Sequence, residues 1–356
     1  MMSRCSTVAG CDGSGGRGVV AATSLYLVIE AALPILNQRI FRAFPYPLTV
    51  TALHISFVAV VLALVNAASH LLWGEPTHSW IGDRHLLTKV RIMAPAGLLF
   101  GVKGGVTNWG LALVPTATHN LLQSTEFCFG CAAAWALNGE RPSGVGLAAA
   151  AGAFAGGLLV SSTLFDFDAA PVDARRADAA FALALNLAPP LIGALTISTL
   201  RGGAARLLGK PSPVADGVSV VEVTSLMMLL STSVAAPIAL AVEELGAFGG
   251  NNATVVDAIA SGALPATRVY GVAVLLVALH LAVTWIAHAT SAFSLLILNN
   301  VKVVPMWAAA TVWDRSGGGG SGVRLAGAAL CLASSVGWAC AEARRAERRV
   351  VRRILF

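Results

Sequence analysis

The chain has 356 residues, 56% of them hydrophobic and only 12% charged, with a mean hydropathy of +0.74 and a net charge of +6. Soluble domains carry about 25% charged residues, so this composition excludes a soluble globular enzyme or a nucleic-acid binder. It defines an all-α polytopic membrane protein whose first partner is the lipid bilayer.

The first 18 residues are Gly/Ser-rich and read as a disordered cytosolic N-terminus without a cleavable signal peptide. Apolar runs and their breaks then give ten spans: 19–38, 48–73, 92–113, 115–137, 143–163, 179–200, 219–242, 268–288, 289–313 and 322–341. Each run is long enough for a bilayer core of roughly 30 Å, which takes about 20 apolar residues in a helix. Two joints are very tight, Val114-Pro115 and Ala287–Ser291, and they hold the same place in each half of the chain. The pattern Gly144-Val145-x-Leu147-Ala148-x-Ala150-Ala151 recurs as Gly322-Val323-x-Leu325-Ala326-x-Ala328-Ala329, and Trp135 and Trp313 keep the same offset. Five spans per half require the two copies to insert in opposite orientations. The expected fold is therefore ten transmembrane helices in two inverted five-helix repeats, 19–163 and 179–341, an arrangement typical of secondary transporters. An acidic loop, 164–178, joins them, and a basic tail, 342–356, closes the chain.

With both termini in the cytosol, 15 of the 24 lysines and arginines lie on the cytosolic side and seven on the other. This bias supports that orientation. The remaining two, Lys103 and Lys302, fall inside spans, as do Glu30 and Glu126. A lysine at mid-membrane depth costs about 2.5–3.5 kcal/mol on insertion scales, so such residues read first as functional. The alternative is an internal ion pair, Glu126 with Lys302 or with Lys103, that only fixes packing. Asn299 lies three positions before Lys302 and shares its helix face. Asn120, Gln123 and Ser124 form a polar stripe that Thr116 extends, with Asn37, Asn108, Thr118, His119 and Asn300 nearby. His54 and His280 read as packing residues, and His119 as lying near a membrane surface. Cys128 and Cys131 form a CxxC inside an apolar run, where packing is the better reading than redox or metal work. No phosphate-binding Gly loop, zinc spacing or nucleophile elbow occurs. No enzyme activity, metal or cofactor is expected.

Three stretches together resemble one family. Asn37-Gln-Arg followed by Phe44-Pro-Tyr-Pro-Leu-Thr-Val-Thr-Ala-Leu-His54 is similar to "NK…FPYPLTLT…H". Asn108-Trp-Gly-Leu-Ala-Leu-Val-Pro115 is similar to "N-x-SL-x-YVP", and Thr290-Ser-Ala-Phe-Ser-Leu-Leu-Ile-Leu-Asn-Asn-Val-Lys302 to "TSALT…GNVK". These are stretches of the triose-phosphate and nucleotide-sugar transporter family, part of the drug/metabolite transporter superfamily. The resemblance implies ten helices in two inverted halves. It also implies exchange of a phosphorylated sugar or nucleotide-sugar for phosphate or a nucleotide monophosphate. It makes Lys302 the ninth-helix lysine on the substrate phosphate and Asn300 the asparagine before it. Gln123 stands where the fourth helix of the family has its own lysine, and Val303 where the triose-phosphate branch has arginine. Both departures argue against triose-phosphate exchange, and the Asn108-Trp-Gly context is closer to the Golgi-type branch with its nucleotide-sugar substrates. Lys103, on the neighbouring helix, is then the candidate to replace the lost charge, with Gln123, Asn120, Asn108, Asn299 and Asn300 as hydrogen-bonding partners and Glu30 and Glu126 ordering the lysines or coupling to a proton.

The expected function is a secondary antiporter of the Golgi or another endomembrane. The alternatives are a plastid-envelope sugar-phosphate or phosphoenolpyruvate translocator and a transport-inactive membrane scaffold. The sequence also leaves a homodimer open.

Overall fold

The computed structural model describes residues 13–73, 83–114, 119, 122–123, 125–140, 144–161, 176–209, 214, 218–245, 254–302, 304–305, 322–323, 325–334 and 336–337. Among them there is no strand. The helices are α1 (Gly13–Ala43), α2 (Pro47–Trp73), α3 (Leu86–Leu113), α4 (Glu126–Asn138), α5 (Gly144–Ser161), α6 (Arg176–Leu208) and α7 (Val220–Ala239). A π turn, Leu240–Glu244, extends α7; then come α8 (Val255–Ala260), α9 (Ala266–Ala289), α10 (Ala292–Val301) and α11 (Leu325–Ser334).

Five helical stretches are long and apolar enough to cross a membrane: Gly18–Ala43, Pro47–Ser69, Phe181–Leu208, Val220–Glu244 and Ala266–Ala289. The protein is therefore described as an integral membrane protein. Helix α3 has 28 residues, but Lys89, Arg91, Lys103 and several glycines dilute its apolar character. Many large apolar side chains point outward, among them Val28, Val60, Leu64, Leu191 and Val274. Lipid tails would cover such faces at no cost in hydration.

Local chemistry accounts for the helix ends. Gly139 closes α4 in the left-handed region, φ 66°, with its N–H donating to Trp135 O and Glu140 N–H to Ala134 O. The Ser219 hydroxyl caps α7 by accepting from Glu222 N–H at 3.1 Å. Thr254 and Asp257 form a reciprocal capping box on α8. The chain breaks between α9 and α10 at Thr290-Ser291, inside the second tight joint. The apolar run expected as one helix over 289–313 is helical from Ala292 to Val301, and Lys302 follows in a turn. Helix α1 starts earlier than the span expected at 19 and takes in residues assigned to a disordered terminus. Most of the acidic loop, residues 306–321 and the basic tail lie outside the described residues.

The main core gathers side chains from α1, α2, α3, α6, α7 and α9, including Ile40, Phe44, Leu62, Met93, Met227 and Ile286. A smaller cluster, Phe127, Phe293, Leu296, Ile297 and Val301 with Cys331, joins α4, α10 and α11. Helices α3 and α7 meet backbone to backbone. The Ser231 hydroxyl donates to Gly97 O at 2.8 Å, and a Cβ on Gly101 would stand 2.5 Å from Ser231 O. Gly101→Ala should therefore push α3 off α7 and destabilise the protein by about 1–3 kcal/mol, as overpacking does. Thermal unfolding in detergent should show a lower midpoint; an unchanged midpoint would rule out the close contact.

Candidate functional site

A cavity of about 200 Å³ lies between α1, α2, α3, α9 and α10. Its wall follows from helix periodicity. Glu30, Leu33 and Asn37 fall on one face of α1, and Lys103, Thr107 and Leu111 on one face of α3. Asn299 and Lys302 enter together, as their spacing predicts.

The four intramembrane ionisable residues form two pairs of different character. Lys103 Nζ donates to both oxygens of Glu126, at 3.0 and 3.1 Å. Asn299 Nδ2 donates to Glu126 Oε2 at 2.8 Å, while Asn299 Oδ1 accepts from Tyr26 OH at 3.2 Å. Glu126 is sealed, with 1% of its side chain exposed. Gly193 of α6 makes this possible, because a Cβ there would collide with both Glu126 Oε1 and Lys103 Nζ. The second pair is open. Lys302 Nζ donates to Glu30 Oε2 at 2.8 Å, and the two side chains are 18% and 21% exposed. Of the two partners the sequence allows for Glu126, the structure selects Lys103. It gives Lys302 a carboxylate, Glu30, that sequence spacing does not suggest. Two ammonium groups against two carboxylates leave the wall near neutral.

A second, uncharged group lies further along α1 and α3. Asn37 Nδ2 donates to Asn108 Oδ1 at 3.3 Å, Asn108 Nδ2 to Thr51 Oγ1 at 2.7 Å, and Thr51 Oγ1 to Pro47 O at 2.7 Å. Asn37 Oδ1, Thr107 Oγ1 and Gln123 Nε2 are buried and have no hydrogen-bond partner among the described residues. All three residues line the cavity. Buried polar atoms are normally satisfied, so these three mark places for a ligand or water. Thr107 is absent from the sequence-derived candidates; its position four residues after Lys103 is the signal that could have found it.

The histidines are wall residues too. His54 Nε2 donates to Val269 O at 3.0 Å, and His280 stands edge-on to Phe100 with ring centroids 4.9 Å apart. His119 is buried with Nδ1 2.7 Å from Asn186 Oδ1, deeper than its sequence context suggests. Asn120, Ser124, Thr116 and Thr118 lie outside the described residues, as does the side chain of Asn300. Cys131 forms no disulfide among the described residues, and no group of three metal-ligating side chains occurs among them.

Polar clasps lie beyond the cavity. Lys89 Nζ, 3% exposed, bonds Glu222 Oε1 at 2.7 Å and Asp83 Oδ2 at 2.9 Å. Burial pushes the Asp83 carboxyl up, but hydrogen bonds from Lys89 and from His85 N–H outweigh it and hold it below the usual aspartate range. Its contribution to stability is thus present above the ordinary aspartate pKa and is lost only as pH falls through the lower folded value. At the far end of α7, Glu243 accepts Leu48 N–H and Thr49 N–H, each at 2.7 Å, capping the open N-terminus of α2. Arg201 donates to His288 O at 3.1 Å and stands 3.5 Å from Glu140 Oε1.

No family model matches this chain. No curated protein matches it. A solved structure titled only "Crystal structure of protein" superposes with a TM-score of 0.56 at 17% identity, over 91% of this chain and 96% of that one. The likeness is one of fold.

Proposed function

We propose that the protein is a secondary antiporter that moves a small phosphorylated solute through this cavity, in exchange for phosphate or a nucleotide monophosphate. The observation that carries the reading is a mostly apolar cavity in which a partly open lysine shares the wall with three unsatisfied hydrogen-bonding groups. A lysine serves a phosphate as a compact point charge. Asn37, Thr107 and Gln123 offer one acceptor, one hydroxyl and one donor to a polyhydroxylated body. The volume favours a sugar phosphate over a nucleotide-sugar in this conformation, since pockets for drug-sized ligands run about 300–1,000 Å³.

The proposed architecture is ten spans in two inverted five-helix repeats. The packing supports it. Under a five-span shift, α1 against α9 corresponds to α6 against α3, and α3 against α7 to α9 against α2. Helix α2 packs on α7, and α4 on α10, each pair mapping onto itself. Residence in the Golgi or another endomembrane, with cytosolic termini, rests on the lysine and arginine bias and on the sequence resemblance.

Uptake into proteoliposomes from a panel of sugar phosphates and nucleotide-sugars, against internal phosphate or nucleotide monophosphate, tests the reading. Lys302→Gln should lower uptake about 10- to 100-fold, the value of a charged hydrogen bond of about 1.5–3 kcal/mol. Undiminished uptake by Lys302→Gln would sink the assignment.

A further inference from the structure

We infer that Glu30 is a built-in competitor of the transported anion, and that each anion entering the site brings a proton with it. This rests on the carrier reading above. Lys302 cannot receive an anion while its Nζ is held at 2.8 Å by Glu30. Glu30 on the cavity wall and Glu126 sealed behind it differ in how they are held. Glu126 has Lys103, Asn299 and the shelter of Gly193. Glu30 has Lys302 as its one hydrogen-bond donor among the described residues, and both side chains open to the cavity. The Glu30–Lys302 pair is therefore the one that can part.

Parting without a proton is unfavourable. Anion and ionised Glu30 would then both face one ammonium in a site of low dielectric, where an unpaired carboxylate is strongly disfavoured. A proton taken from the side that supplies the anion converts Glu30 to a neutral acid and removes one unit of the added negative charge. Release on the far side returns the proton and lets Glu30 close on Lys302 again. The empty carrier is thus neutral in its cavity.

The other groups facing Glu30 are Tyr26 on α1 itself, Lys103 from α3 and His280 from α9, with His54 and His119 on the same cavity wall. Lys103 already has its carboxylate. His54 and His119 have ring nitrogens engaged by Val269 O and Asn186 Oδ1, and His280 is buried edge-on against Phe100. Glu30 is left as the carboxylate that both titrates and moves.

The full-length protein, with radiolabelled sulfate as probe, tests this. Sulfate stays a dianion between about pH 5.5 and pH 8, and free carboxyls, with a pKa of about 4, stay ionised there, so tighter binding within that window reports proton uptake induced by the bound anion. In the wild type, binding should tighten at least tenfold on acidification. An inward sulfate gradient should acidify proteoliposomes loaded with a pH dye. Glu30→Gln should bind sulfate at about pH 8 at least as tightly as the wild type does at about pH 5.5, and its sulfate flux should carry no protons. Glu30→Asp keeps the carboxyl and should keep the proton flux, which separates loss of the titrating group from damage to packing. Proton-coupled flux that survives Glu30→Gln, pH-independent binding by the wild type, or no sulfate binding at either pH overturns the inference. If uptake of phosphorylated solutes is still lost in Lys302→Gln, the carrier reading stands without it. If Lys302→Gln leaves that uptake intact, the carrier reading fails first.

Discussion

Lys89→Met should destabilise the protein by about 3–5 kcal/mol, the usual consequence of leaving one buried charge without its partner. Lys89 and Glu222 are 3% and 1% exposed and meet at 2.7 Å, so water cannot replace the lost ammonium. Asp83 loses the same partner but sits nearer the end of α3 and keeps its bond from His85 N–H at 2.7 Å. The double variant Lys89→Met/Glu222→Met should recover most of the loss, because two apolar side chains of similar length fill the site without charge. Denaturant titration in detergent across wild type, both singles and the double gives the coupling directly. A double variant as unstable as the worse single would mean that the pair acts through something other than buried charge.

Gly193→Ala should have an effect of similar size at the cavity. A single methyl group there falls on both the Glu126 carboxylate and the Lys103 ammonium. Either α6 withdraws from α4, or the pair separates and leaves a charge in an apolar wall. The expected loss is about 3–5 kcal/mol, with transport reduced even where folding survives. Glu126→Ala makes room for the methyl group, so Gly193→Ala should cost markedly less in that background. Equal costs in the two backgrounds would show that the Gly193 contact is with something else.

The helical class and the apolar breaks were legible because they depend on nearest neighbours: runs of apolar residues and the polar or glycine-rich segments between them. The inward face of α10 was legible for the same reason, as Asn299 and Lys302 are one helical turn apart. Pairing was not. Glu30 meets Lys302 across 272 positions, and nothing local to either residue names the other. The Lys89–Glu222 pair was hidden differently. Lys89 reads as a flanking charge at a membrane surface, and Glu222 as an acidic residue in the first turn of a helix, each with a sufficient local reason. Gly193 is one glycine among 36, and only the position of two side chains from other helices shows why it carries none.

Helix α7 carries a carboxylate near each end, and both reach across to the other half of the chain. Glu222 grips Lys89 of α3, and Glu243 grips the first amides of α2. At 1.5 Å per residue they stand about 30 Å apart, close to the thickness of the bilayer core. With both gripped, α7 is a bolt shot home at top and bottom against α3 and α2. Under the antiport proposed above, the difference in strength between the two grips would set which way the unloaded protein faces. A change at either carboxylate would then act on that resting orientation, at a distance from the cavity.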